Sequence, residues 1–399
     1  MRLFNTRIRQ WLGIVQKPHV LQMPITSRCN SRCKTCNVWK HTPGVDIDSL
    51  ALRRALKDDF FSEVRTVGLN GGEFTLVPNF VDILEVVLTL PKISSVHLIT
   101  NGLLPKRLFE SLVQAKSICD RRGVLLYVCL SVDGVGKVHE NVRGIPHCFE
   151  KTREVLLEMQ RNSSLYCHQF SVGCTLSCHN IPFIRETELF FQSFEGLNVE
   201  YHLAVPNKRI WTDDDYKGYY VLEDSRYRLI AAEFFYCKYR SASNERYRRQ
   251  CFANYYFLKT NGGRNGGCSR LCTCDYLYRD VTIDEHLNIA LCATHSHVVG
   301  NLNERGAKEI IHGKSTRRER KRIRREHCGS CIHYSYHGLS TRGALIYMME
   351  EIRNRYVFRY YELRSQRRWI DRNLGAALLL MRIVYVLLRQ VFYSIWRLR

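Results

Sequence analysis

Three thiols crowd one short stretch, where Cys29, Cys33 and Cys36 stand in a C-x3-C-x2-C spacing. Deprotonated, they can wrap one soft metal centre. A closed structural zinc site needs four ligands, so a distant residue would have to complete it. An iron–sulfur cluster held by three cysteines instead leaves one iron open to an outside ligand. Further along come Gly71-Gly72-Glu73, Thr100-Asn101-Gly102 and Ser131-Val132-Asp133-Gly134, the last followed by His139 and Arg143-Gly144. Any one of these alone reads as a turn. Together they offer a carboxylate at Glu73, a guanidinium at Arg143 able to grip a carboxylate through two bonds, and at Asp133 a group suited to ligand binding or to a turn.

The elements that must position these residues are short β-rich runs alternating with helical patterns, which argues for βα units around a parallel sheet or barrel. Strands are expected at His19–Ile25, Arg65–Leu69, Ser95–Thr100, Val124–Leu130, Phe170–Leu176 and Asn198–Leu203, with helices over Asp48–Lys57, Asn79–Leu88, Lys106–Ala115 and Phe149–Gln160. The cysteine triplet follows the first strand, and each turn-like motif falls at the carboxyl end of a later one. That edge is where barrels of this kind place their chemistry. After about residue 236 the alternation stops, and glycine-rich punctuation at 261–267 leads into a second cluster of cysteines.

This ordered set of motifs resembles the radical S-adenosylmethionine (radical SAM) superfamily. The resemblance implies a partial (βα)6 TIM-like barrel over residues 18–235. It implies that Cys29, Cys33 and Cys36 bind three irons of a [4Fe-4S] cluster whose fourth iron chelates S-adenosylmethionine (SAM). One electron would cleave SAM to methionine and a 5′-deoxyadenosyl radical, which abstracts hydrogen from an unactivated carbon. Glu73 and the carbonyls around Gly71 and Gly72 would accept from the SAM ammonium, with glycine permitting close backbone approach. Arg143 would take the carboxylate, and Asn101, Ser131 and Asp133 other polar groups of SAM. Thr35 stands where most members carry an aromatic residue. The motifs single out no residue for the substrate's own chemistry.

Cys274 and Cys292 bracket a hairpin-like run, Val281 to Leu291, and Cys328-Gly329-Ser330-Cys331 adds a C-x2-C pair. This resembles the SPASM and twitch auxiliary-cluster domains, and implies a small Cys-rich C-terminal domain over 236–335 holding one auxiliary [4Fe-4S] cluster on Cys274, Cys292, Cys328 and Cys331. Leu287 occupies a position where that pattern usually has glycine. Cys251, Cys268 and Cys272 are left over and could replace Cys274 or hold a second centre, and zinc suits the same ligands. The other cysteines read as small buried hydrophobes, and His179, His295 and His297 as core or solvated residues with some chance of meeting substrate.

With 399 residues, 45% of them hydrophobic, the chain can form a barrel with an appended module and does not read as disordered. Seventeen cysteines, an odd number, without a secretory signal argue for metal ligation rather than disulfides in a cytoplasmic protein. The net charge is +22, with excess at the two ends: residues 1–45 carry eight Lys/Arg and no acid, and residues 336–399 carry twelve Arg against four acids. A third concentration is the run Arg317–Arg325, which as a helix could be a solvated face.

Segment 1–17 is basic and amphipathic, and 336–399 is expected to form an Arg-rich helical tail. From Asp371 onward the longest charge-free stretch is nine residues, too short for a membrane span. A narrow basic stripe on a broad apolar face suits an anionic membrane surface, here the inner face. Packing against a subunit, or binding of RNA phosphates, competes with that reading. The expected function is a radical SAM enzyme acting on a peptide or small metabolite, with flavodoxin or ferredoxin as reductant. A lipid-linked substrate is the second enzyme reading, and a non-catalytic zinc- and nucleic-acid-binding protein the reading from another class.

Overall fold

The protein is described by a computed structural model that covers residues 13–41, 43–205, 207, 220–221, 223–260, 270–332 and 338–365, with side chains as far as 354. The chain divides into two compact units, Val15–Gly338 and Met1–Ile14 with Leu339–Arg399. The described part of the second is dominated by one helix, Thr341–Ser365. The basic tail from 366 and the N-terminal stretch 1–12, on which the membrane reading rests, lie outside the described residues. No helix among the described residues is long and apolar enough to cross a membrane.

The larger unit is a mixed α/β structure of partial-barrel type. Its strands are β1 (Val20–Thr26), β2 (Thr66–Gly71), β3 (Ser95–Thr100), β4 (Leu125–Ser131), β5 (Gln169–Leu176), β6 (Val199–Leu203), β7 (Val281–Ile283), β8 (Asn288–Ala290) and β9 (Val298–Asn301). Among the described residues these form one sheet in the order β6-β5-β4-β3-β2-β1-β7-β8-β9. Pairing is parallel from β6 across to β7 and antiparallel in the final hairpin and β9. All six expected strands are present within a residue or two of their expected ends. The cysteine-rich segment adds to the same sheet, through Leu21↔Val281 and Gln22↔Thr282. Asp280 holds that junction: its buried Oδ1 accepts from the backbone N–H groups of His19 and Val20 at 3.2 and 3.1 Å.

The intervening helices are α1 (Ser49–Ala55), α2 (Phe80–Val87), α3 (Pro105–Arg121), α4 (Lys137–Arg143), α5 (Cys148–Tyr166) and α6 (Ile184–Gln192). They are followed by α7 (Ser225–Ser241), α8 (Glu245–Thr260), α9 (Ala307–His312) and α10 (Lys314–Glu326). Local chemistry sets their ends: the Asp48 carboxylate accepts from Ala51 N–H at the start of α1, Pro105 opens α3, and Gly144 closes α4 with φ 67.

The strands alternate with period two. Leu21, Met23 and Ile25 of β1, Val96 and Leu98 of β3, and Leu126, Val128 and Leu130 of β4 are buried in the main core. The intervening residues, among them Gln22, His97, Tyr127 and Cys129, line a cavity that Leu98 and Val128 also border. A fully packed barrel fills its interior with branched apolar side chains. Here the inner face mixes polar with apolar side chains and leaves about 1530 Å3 of space.

The Arg317–Arg325 run is helical, as part of α10, and its face is only partly solvated. Arg320 is 5% exposed, and its guanidinium donates to the carbonyls of Leu277 and Ile311. Arg322 pairs with Glu319 and donates to the His295 carbonyl at 2.7 Å. Both serve as internal struts, while Arg317, Arg318, Lys321, Arg324 and Arg325 remain exposed.

Candidate active site

The loop after β1 carries Cys29, Cys33 and Cys36 to the cavity, which all three line. Its backbone is held from two sides. Gly72 N–H donates to Thr26 O at 2.7 Å and Glu73 N–H to Arg28 O at 2.8 Å, tying its first residues to the end of β2. Arg32 N–H donates to Arg143 O and Lys34 N–H to Val142 O, each at 2.9 Å, so the last carbonyls of α4 hold its far half. These contacts account for the glycines. A Cβ on Gly72 would sit 1.9 Å from Arg28 O, and one on Gly144 2.3 Å from Arg32 O. The close approach that these glycines permit is first of all to the cysteine loop itself.

Glu73 is 1% exposed. Its Oε1 accepts from Thr100 Oγ1 at 2.8 Å and Thr75 Oγ1 at 3.0 Å, and its Oε2 from Asn101 N–H at 2.8 Å. Burial pushes its carboxyl pKa up, against these hydrogen bonds, which favour the charged form. Asn101 reaches from β3 to the cysteine loop, donating to Asn30 Oδ1 at 2.7 Å. Both of its amide ends are used within the chain, since Oδ1 accepts from Leu103 N–H at 2.9 Å.

Asp133 and Arg143 form a buried pair, Nη2 to Oδ2 at 2.8 Å. Asp133 Oδ1 also accepts from Thr175 N–H at 2.8 Å, so the same carboxylate braces β5. Arg143 Nη1 lies 3.6 Å from Cys33 Sγ, and its Nε is buried with no hydrogen-bond partner. Burial works against the guanidinium's charge, but Asp133 and the thiols of Cys33 and Cys29 more than offset it. Burial, with repulsion from neighbouring cysteines, pushes Cys29 up to about 11 and Cys36 up to about 12. Ser131, the last residue of β4, lines the same cavity.

The second set assembles from three places: Cys274 ahead of β7, Cys292 after β8, and Cys328 and Cys331 in the turn after α10. The four thiols fall within one another's electrostatic reach, around the largely buried Arg270. Burial raises Cys328 to about 11 and Cys331 to about 12. Thr294 N–H donates to Cys292 Sγ at 3.5 Å, and the Thr294 hydroxyl shares a hydrogen bond with the same sulfur at 3.3 Å. Ala293 and Ile332, chain neighbours of Cys292 and Cys331, line the main cavity, so this set borders it. Of the left-over cysteines, Cys251 interacts with Tyr247 and Lys238 and not with the set, Cys272 is buried, and Cys268 lies outside the described residues. Among the described residues no three His, Cys, Asp or Glu side chains converge on a single-ion position.

Leu287 adopts φ 63 in the hairpin turn, the left-handed conformation that glycine favours. It is tolerated because the side chain is 2% exposed. Burying a leucine is worth about 1.5–3 kcal/mol, which offsets a left-handed cost of about 1–2 kcal/mol.

Several cavity residues carried no sequence signal: His97, Tyr127, Cys129, Ser171, Glu200, His202 and Thr282. Of the histidines that sequence singled out, His295 stacks on His327 at 4.4 Å and His297 lies 3.4 Å from Glu319. Neither these nor His179 line the cavity.

The site is therefore a hollow α/β partial barrel with three thiols and a buried arginine–aspartate pair at the carboxyl ends of its strands. The cavity beside the thiols and the unpartnered Arg143 Nε fit an iron–sulfur cluster with an anionic ligand. Residues 23–173 match the family model of the Radical SAM superfamily; this part of the chain carries a radical SAM domain, which implies an enzyme that uses a SAM-binding [4Fe-4S] cluster and SAM.

Solved structures share the fold. Hexahistidine-tagged anSMEcpe with bound AdoMet aligns with TM-score 0.55 and 18% identity, over 76% of this chain and 82% of that one. Streptococcus suis SuiB bound to precursor peptide SuiA aligns with TM-score 0.51 and 15% identity, over 77% of this chain and 67% of that one. Native anSMEcpe with bound AdoMet and Cp18Cys peptide aligns with TM-score 0.52 and 17% identity, over 76% and 82%. No curated protein matches the sequence.

Proposed function

We propose that the enzyme abstracts a hydrogen atom from a peptide. The observation that carries this reading is the continuity of one cavity from the three thiols down the inner face of the barrel, where amide, hydroxyl and imidazole side chains stand among apolar ones. When bound, the cluster and SAM supply reductive cleavage of SAM and the abstraction of hydrogen. The chain's own residues hold and orient. Cys29, Cys33 and Cys36 ligate the cluster, and the backbone at Gly71 and Gly72, with Glu73, accepts from the SAM ammonium. Arg143 is assigned the SAM carboxylate: Asp133 secures its charge, and its Nε is the donor left over. Ser131 is assigned a polar group of SAM, while Asn101 keeps the cysteine loop in place. Cys274, Cys292, Cys328 and Cys331 are assigned one auxiliary [4Fe-4S] cluster, with Arg270 balancing its negative charge.

The peptide assignment draws support from the fold shared with anSMEcpe and SuiB, both of which have been solved with peptides bound. Electrons would come from a flavodoxin or ferredoxin. The basic ends are assigned to an anionic membrane surface, which makes the enzyme peripheral at the inner face. The test of the peptide reading is isotopic. Reconstituted enzyme is given SAM, reductant and a fully deuterated peptide pool, and 5′-deoxyadenosine is analysed by mass spectrometry. Deuterium in the nucleoside is expected; nucleoside formed with none, alongside transfer from a deuterated lipid or metabolite pool, would overturn it.

A further inference from the structure

The strand registers place one row of side chains across the barrel at a single level. Thr282 pairs with Gln22, Gln22 with Gly68, Gly68 with His97, His97 with Tyr127 and Tyr127 with Gln169. All six line the cavity. The row holds hydroxyls, amides and an imidazole that burial keeps below its usual pKa, and no ionised group. His97 and Tyr127 stack at 4.5 Å with 10° between their planes. Asn70 donates to Gln22 Oε1 at 2.8 Å, fixing that amide against the wall.

Thr282 differs from the rest of the row. It is 1% exposed, and its Oγ1 is buried with no hydrogen-bond partner. An unmade hydrogen bond on a buried hydroxyl is costly, so the group is provided for something that enters the cavity. Thr282 sits on β7, between Cys274 and Cys292 in sequence, and beside β1, which leads to Cys29. It is thus joined through its own hairpin to the second cysteine set and through β1 to the loop of the first. By register the row itself holds no Asp, Glu, Lys or Arg: Glu200 pairs with Gly173 and so with the level of Ser131, with His202 3.6 Å from its carboxylate, although the field of Glu200 reaches His97.

We propose that the Thr282 hydroxyl and the Gln22 amide bind a neutral amide of the substrate, so that the hairpin carrying the auxiliary cysteines also supplies a specificity-determining residue. This rests on the peptide reading and sharpens it: the part of the substrate that enters the row is an uncharged amide, not a carboxylate, phosphate or acyl chain. An anionic group would be desolvated there and would meet the field of Glu200, which reaches His97, and an acyl chain would leave the row's polar groups unpaired.

The test uses full-length, iron-reconstituted protein with SAM. Binding of N-acetylglycine N-methylamide is titrated by ligand-observed NMR beside its carboxylate counterpart, N-acetylglycinate. The diamide should bind more tightly. Thr282→Val, nearly isosteric, should weaken it about fivefold, the size of one lost neutral hydrogen bond, while Thr282→Ser should retain wild-type affinity. Tighter or equal binding of the carboxylate, no binding of the diamide, or equal affinity in wild type and Thr282→Val would each overturn the proposal. Formation of 5′-deoxyadenosine by the wild type is read separately, so failure of the radical assignment and failure of this contact are distinguishable.

Discussion

At the residue scale the site depends on backbone approaches that admit no side chain. Gly72→Ala would place a Cβ 1.9 Å from Arg28 O, and Gly144→Ala one 2.3 Å from Arg32 O at a φ of 67. Each variant is expected to lose most of the iron bound at the first cysteine set while keeping its helical circular dichroism; iron assay and spectrum check the two halves of the statement. The thiols make a second prediction. Cys331 is buried and Cys29, Cys36 and Cys328 are partly buried, with pKa values raised to about 11 or 12. In the metal-free protein they stay protonated in the fold after they would ionise in the unfolded chain, so stability is full below the ordinary thiol range and is lost as pH rises from there through about 11 and 12. Iron must displace those protons, so uptake should rise with pH across the neutral range. Denaturant melts carried up to about pH 12, and iron-uptake titrations across the neutral range, measure the two, at steps of about one unit.

At the element scale the hairpin β7–β8 links the two halves of the larger unit. It adds to β1 by two register pairs and carries Thr282 to the cavity and Cys292 to the second set. If Cys328 and Cys331 hold an auxiliary cluster, replacing both with serine should lower iron by about four per chain, one cluster's worth, and leave the first set's iron in place. Unchanged iron would remove the auxiliary assignment.

Much of the scaffold was legible in sequence, because alternating β-rich and helical patterns with a motif at each strand end admit few topologies. Strand β3 falls at its expected bounds, Ser95–Thr100. The pairing of Gln22 with Thr282 was not legible, since nothing local records a contact across some 260 residues. Nor was the polar lining. His97, Tyr127 and Glu200 lie in strands whose alternation is visible, but alternation does not say whether the polar face meets solvent or a cavity. Arg320 was hidden for a related reason: in a run of basic residues only packing tells which one turns inward.

At the scale of the whole molecule, the C-terminal charge lies apart from the candidate site along the chain. Residues 23–173 carry the radical SAM match and share the N-terminal basic excess, whereas residues 336–399 carry twelve Arg against four acids beyond both cysteine sets. Deleting residues 366–399 is therefore expected to abolish flotation with anionic vesicles and leave iron content unchanged; equal flotation of the truncated protein would assign the tail another role. Radical chemistry at the first cysteine set is tested by a single assay on anaerobically purified, reconstituted protein: formation of 5′-deoxyadenosine from SAM under a strong reductant. A brown protein that makes the nucleoside, and a Cys29→Ala, Cys33→Ala, Cys36→Ala triple variant that does not, is the predicted result. A colourless zinc-loaded protein, or nucleoside formed equally by the triple variant, would contradict it.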